Sequence, residues 1–258
     1  MKSIKTILTT SLLMIFLMTS LNSWAQEERS ETVKAFNKLL VSPHIELILI
    51  KGDKEQVRWE FKNITVDKLN AQLDGKTLHL YLDKAKVTPK LQKNRDQGWN
   101  YKESIYKHAK VKAYVTYREL KALELRGSEM VISKDPLVSE EFRLKLYGDG
   151  DAYFSSITAD HFKASLYGEY ALDIGGGEAR VQSYKCYGEN VVRATEFKGE
   201  DVSTTIYGES DLNLNASGSM KVTSLGEGRV FYKGAGKLNK GLILGETSIS
   251  RSKTADLN

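Results

Sequence analysis

The stretch "LYGDGDAYF" (Leu146–Phe154) returns as "LYGEYALDI" (Leu166–Ile174), "CYGENVV" (Cys186–Val192) and "IYGESDLNL" (Ile206–Leu214). The tyrosines stand at 147, 167, 187 and 207, a spacing of 20 residues three times over. Glycine carries the beat further in both directions. Gly127, Gly148, Gly168, Gly188, Gly208, Gly226 and Gly245 are separated by 21, 20, 20, 20, 18 and 19 residues. An apolar residue precedes each within three positions (Leu125, Leu146, Leu166, Cys186, Ile206, Leu225, Leu244). An acid follows each within two (Glu129, Asp149, Glu169, Glu189, Glu209, Glu227, Glu246). A weaker half-beat falls at Gly177, Gly199, Gly218 and Gly234.

A period near 20 residues predicts a β-solenoid, in which each repeat is one turn of a parallel helix of strands. Leucine-rich repeats have similar lengths, but their leucine-asparagine signature is missing. One such coil cannot bury its apolar face alone. Stacking sets equivalent residues about 4.8 Å apart and makes the core continuous. The seven glycines then mark one corner, where positive φ costs only glycine nothing. The half-beat glycines mark a second corner. The expected architecture is all-β, with on the order of six coils over roughly 30 Å.

Stacking also turns each repeated residue into a column. By alternation the aliphatic column faces in and the tyrosine column faces out, since the hydroxyl seeks water. Tyr147, Tyr167, Tyr187 and Tyr207 therefore form a ring ladder, which serves either as packing or as a strip for stacking on sugar rings or a partner. Asp149, Glu169, Glu189 and Glu209 stand in register, where like charges repel. They are read as solvated turn carboxylates or as a cation site. The calcium-binding nonapeptide pattern is absent.

Upstream the chain reads as half-buried strands. "HIELILI" (His44–Ile50), "VRWEF" (Val57–Phe61) and "TLHLYL" (Thr77–Leu82) alternate with period two, and the turn "LDGKT" between the last two suits a hairpin. Residues 26–35 are polar and read as a frayed end. From Lys84 to Lys112 nine Lys or Arg face two acids, a net +7. The part of this stretch within 84–110 is expected to be a long irregular loop in which Trp99 and Tyr101 lie among the cations as further ligand-binding candidates. The expected division is 36–110 as an N-terminal β region and 111–250 as the repeats, with 36–250 forming one continuous domain.

Residues 1–25 read as a signal peptide. Lys2 and Lys5 precede an apolar run, and Ser23 and Ala25 place small residues before a cut after Ala25. The mature chain, free of a transmembrane segment, would then carry +3 (the chain's +5 less two lysines), and would be exported to the periplasm, the outer-membrane surface or the medium. Nucleic acid is not an expected partner there. Cys186 is the only cysteine, which rules out an intramolecular disulfide, and its column makes it a core residue. His44, His79, His108 and His161 are scattered without metal-ligand spacing, and no Gly-x-Ser-x-Gly elbow occurs. No cofactor, metal or catalytic set is expected.

With the repeats in view, the chain resembles the head GIN domain family of auto-transporter adhesins, found in exported proteins of Bacteroidetes. The resemblance rests on "FNKLLVSPHIELILIKGDKEQVRWEF" (36–61), "VKAYVTYRELKALELRGSEMVI" (111–132), "ASGSMKV" (216–222) and "GEGRVFYKGAG" (226–236). It covers roughly residues 33–250. The chain departs from the family in having Tyr-Gly-Glu where Ser-Gly turns are usual. The resemblance implies a right-handed parallel β-helix and a non-enzymatic binding role in the cell envelope, toward a surface glycan or protein. Two alternatives stand beside it: a polysaccharide-active β-helix enzyme, and a purely structural envelope protein. Long insertions at one corner would favour the enzyme, and the spacing leaves no room for them.

Overall fold

The computed structural model of the chain describes residues 27–88, 90–96 and 99–252, with the side chains of residues 94–101 excepted. The signal-peptide reading lies outside these residues. The described chain is built of strands, with one short 3-10 turn at Val66–Lys68. No helix in it is long and apolar enough to cross a membrane.

The N-terminal part contains β1 (Glu27–Thr32), β2 (Lys38–Val41), β3 (Glu46–Lys51), β4 (Gln56–Lys62), β5 (Leu69–Asp74) and β6 (Thr77–Leu82). The alternation seen in the sequence decides their faces. Leu47 and Leu49 of β3, Val57, Trp59 and Phe61 of β4, and Leu78, Leu80 and Leu82 of β6 are buried. The hairpin β5–β6 closes over Gly75 and Lys76, with Gly75 at φ 57°. β7 (Leu91–Asp96) and β8 (Trp99–Ser104) follow, then β9 (Lys110–Tyr117), β10 (Ala122–Arg126), β11 (Val131–Ser133) and β12 (Leu137–Val138).

The coils are β13 (Glu141–Phe154), β14 (Ile157–Ile174), β15 (Gly177–Arg193), β16 (Lys198–Lys233), β17 (Lys237–Leu244) and β18 (Thr247–Arg251). β13, β14, β15 and β16 pair in parallel, with Leu146, Leu166, Cys186 and Ile206 in one register. All four side chains are fully buried. The stack continues upstream through β10 on β2 and β6, and through β11 on β3 and β9, all parallel. Residues 38–51 thus supply an early coil, hydrogen-bonded into the same sheet. β4, β1 and β5 add antiparallel strands at the edges. An aromatic cluster fills the coil interior. Phe162 packs edge-on against Tyr184 and Phe197, with centroids 5.6 and 5.3 Å away, and stacks on Phe142 at 6.1 Å.

All seven corner glycines have positive φ, between 102° and 146°. Crowding demands glycine there as much as the dihedral does. A Cβ on Gly168 would strike the carbonyl oxygen of Gly148, and one on Gly188 would strike that of Gly168.

Four expectations need correction. Residues 27–32 are not frayed but pair with β4 as β1. The basic stretch is not wholly irregular, because β7 and β8 form an antiparallel hairpin within it. Of the half-beat glycines, Gly177 and Gly234 have positive φ and Gly199 and Gly218 do not. Leu225 and Leu244 pair with each other in the register immediately before Gly226 and Gly245, which is the tyrosine position. Ser224 and Ile243 take the inward position instead. The 18-residue coil from Gly208 to Gly226 changes which apolar residue falls where.

Candidate functional site

The tyrosine column is a ladder on the outer face. Ring centroids are 4.6, 4.8 and 4.9 Å apart from Tyr147 through Tyr167 and Tyr187 to Tyr207, and the planes agree within 4°. The backbone register makes this stack, because each tyrosine sits one residue before a corner glycine and pairs with the next tyrosine. Offset-stacked pairs of this kind contribute about 0.5–1.5 kcal/mol each beyond burial. Tyr207 is 41% exposed, and the other three are half-buried. Burial and neighbouring charges and hydroxyls hold the phenols of Tyr147 and Tyr187 above their ordinary value, so both stay protonated donors at neutral pH.

The geometry also limits what the ladder can do. Tyr167 and Tyr187 each have both ring faces covered by neighbours, so neither offers a face to a sugar ring. What the ladder presents is ring edges and a row of hydroxyls. Beside it on the same face stand Lys145 and Lys185, and one column further Arg143 and Lys163, with the side chains of Lys145, Arg143 and Lys163 at least half exposed.

Asp149, Glu169, Glu189 and Glu209 are exposed along the other side of the corner. They border an open groove of about 440 Å³ that Asp151 and Asp211 also line. Among the described residues no three His, Cys, Asp or Glu side chains converge to hold a metal ion. The side chains of Trp99 and Tyr101 lie outside the described part of the structure.

Cys186 is a core residue, and burial pushes its thiol up to about 12. Two histidines pair with serines in the N-terminal part. His79 Nε2 lies 2.8 Å from Ser42 Oγ, which donates its own proton to the Lys86 carbonyl at 2.6 Å. His79 is thereby a donor to a saturated serine. His44 differs. Its Nε2 lies 2.8 Å from Ser104 Oγ, and its Nδ1 lies 3.5 Å from Glu129 Oε1. These three side chains come from the β2–β3 turn, the end of β8 and the β10–β11 turn. Sequence reasoning missed the group because its members are 60 and 85 residues apart and carry no local motif.

The fold and its outer columns define a class: an all-β solenoid with a mixed-sheet N-terminal part and flat, ladder-bearing faces. Residues 35–236 match the family described as "Putative auto-transporter adhesin, head GIN domain", and the chain belongs to that family. Solved structures share the fold. A "putative adhesin" from Bacteroides fragilis is 20% identical with a TM-score of 0.75, over 89% of this chain and 98% of that one. A "putative adhesin" from Parabacteroides merdae is 15% identical with a TM-score of 0.61, over 90% and 98%. A "putative lipid binding protein" from Parabacteroides distasonis is 17% identical with a TM-score of 0.63, again over 90% and 98%. No curated protein matches the sequence.

Proposed function

We propose that the protein is an exported adhesin of the cell envelope whose solenoid is a non-enzymatic binding module, and that its ligand is an extended surface glycan with anionic groups. The observation that carries this is the tyrosine ladder on an outer face, with Arg143, Lys145, Lys163 and Lys185 beside it. A row of phenol hydroxyls repeating every coil matches a polymer that repeats its own hydroxyls. Lys185, with the exposed Arg143, Lys145 and Lys163 that also pair with Glu141 and Glu124, supplies the attraction for carboxylate or sulfate groups. Connections between β13 and β18 are two to four residues long, so the coils carry no loops that would wall a catalytic cleft, which speaks against a polysaccharide-cutting solenoid.

The test replaces all four tyrosines by phenylalanine, which keeps the ring stack and removes the hydroxyls. On a glycan array the mature protein is expected to bind acidic polysaccharides, and the Phe variant, melting like the parent, to lose at least about tenfold in affinity for four hydrogen bonds. Equal binding by both proteins would remove the ladder from the site. Preference for anionic lipid vesicles over every glycan would replace the ligand class.

A further inference from the structure

We propose that the outer face built by β9, β3, β11 and β13 joins two copies of this chain in a two-fold pair whose stacks run in opposite directions. The inference goes beyond the binding role of the coils, and the tyrosine ladder takes no part in it.

Alternation fixes what this face shows. Ala113, Leu47, Val131 and Ala152 are buried, so the next residue on each strand points outward: Tyr114, Ile48, Ile132 and Tyr153. The register sets these four side by side. Tyr114 pairs with Ile48, Ile48 with Ile132, and Ile132 with Tyr153. They form one apolar row across four adjacent strands, on the order of 14 Å long. Tyr153 is 44% exposed. Met130, the outward residue before Ile132, is 42% exposed.

The two ends of the row carry opposite charge. Arg58 pairs with Tyr114 and lays its guanidinium over the ring, 3.7 Å from the centroid. Asp173 pairs with Tyr153 at the other end. The row therefore runs cation, aromatic, aliphatic, then aliphatic, aromatic, anion. A two-fold axis parallel to the strands, between β3 and β11, lays this row on its own copy turned end for end. Ile48 then meets Ile132 of the other copy, Tyr114 meets Tyr153, and Arg58 meets Asp173. Each contact occurs twice, as an isologous interface requires.

The neighbouring outward row obeys the same symmetry. Lys112 pairs with Glu46, and Met130 and Asp151 come just before the paired Val131 and Ala152. The axis sets Lys112 against Asp151 of the other copy and Glu46 against Met130. Glu60, beside Lys112, falls opposite Ala171, beside Asp151. No carboxylate of these two rows meets another. Arg58, Lys112 and Asp173 already hold ion pairs on their own surface, with Glu60, Glu46 and Arg193. Such exposed pairs contribute little singly, and a facing charge extends each into a network. Turning the second copy the other way would set like ends together, so the charges select the antiparallel pair.

Size sets the strength. Stacked sheets keep their strands within about 30° of each other, which lets both rows meet over six strands from β4 to β14. The total area covered is on the order of 1,000 Å², at the low end for specific interfaces, so the pair is reversible with a dissociation constant in the micromolar range. Gly148 and Gly168 precede this face on their strands, and the axis brings that end of both copies to one side. Both tyrosine ladders then lie on that side, outside the interface.

The experiment is sedimentation equilibrium of the mature chain from about 1 to 100 μM. The expected result is a dimer that grows across this range. Ile132→Glu, on an outward position, should melt like the parent and weaken pairing at least about tenfold. Lys112→Glu alone and Asp151→Lys alone should each weaken it. An equimolar mixture of those two variants should regain it, because the mixed pair has opposite charges at both contacts. Thermal melts confirm folding, and Asp151→Lys with Ile132→Glu carries the test if Lys112→Glu, which faces Glu46, unfolds. A parent that stays monomeric at 100 μM would overturn the proposal. So would a dimer that survives Ile132→Glu, or a mixture of folded variants no stronger than its components.

Discussion

At the scale of single residues, the corner glycine column is the most constrained feature. Gly168 has φ 115° and stacks against the Gly148 carbonyl. Alanine there meets a strained dihedral and a backbone collision together. Gly168→Ala should therefore lower stability by more than about 2 kcal/mol, which a urea titration would read directly. His79 offers a pH probe. Its burial, and then the charges of Lys86 and Arg126, lower its pKa to about 4, against about 6.5 in an unfolded chain. A depressed folded value means full stabilisation above the unfolded value. As pH falls from about 6.5 towards 4 the unfolded chain takes up the proton first, and that stabilisation is lost. His79→Gln should flatten the fall in melting temperature across this window. The positions of the glycines were legible in the sequence, since a dihedral need leaves a residue-type signal. The Ser104–His44–Glu129 contact was not. It depends on which turns stack, and no residue type in it is required by local geometry.

At the scale of one element, the unit is a coil. Leu146, Leu166 and Cys186 repeat in register with the tyrosines and glycines at 20-residue steps. Deleting residues 169–188 removes one such step and rejoins Gly168 to Glu189, so every column remains in order. The shortened protein should fold with a circular dichroism spectrum like the parent. Deleting 169–178, half a step, should not, because it puts outward residues inside. The period was plain in the sequence because each coil repeats one chemistry at one place. It failed at the 18-residue coil, where Leu225 falls in the tyrosine position and Ser224 faces in. An apolar residue beside a glycine does not say which side of it points inward. The β7–β8 hairpin was hidden for a related reason: its alternation is short, Trp99 and Tyr101 in β8 against the mostly polar LQKNRD of β7, and it is set among lysines.

At the scale of the whole molecule, the two ends of the stack differ. The N-terminal side closes through the antiparallel strands β1, β4 and β5. The C-terminal side ends on β17 and β18, which leave Leu242 and Leu244 more than half exposed. Such an edge invites a second chain. Here Lys240 takes the register of the buried Val222, and the pairing slips just beyond it. An exposed charge on the edge strand and a bulge both discourage edge pairing. Lys240→Val should produce concentration-dependent self-association, seen by sedimentation as species absent from the parent. If the variant stays as dispersed as the parent, the protection lies elsewhere on the edge.

The stack also has a mechanical consequence. The bonds that join one coil to the next lie along the long axis, so tension along that axis loads one interface at a time. Tension across it, parallel to the strands, loads whole ladders in shear. A molecule held at one end and gripped at the other would yield by unwinding, each 20-residue coil paying out roughly 65 Å of extended chain before the next gives way. A tether of this kind absorbs a sudden pull in steps and keeps its remaining coils, and the face they carry, intact.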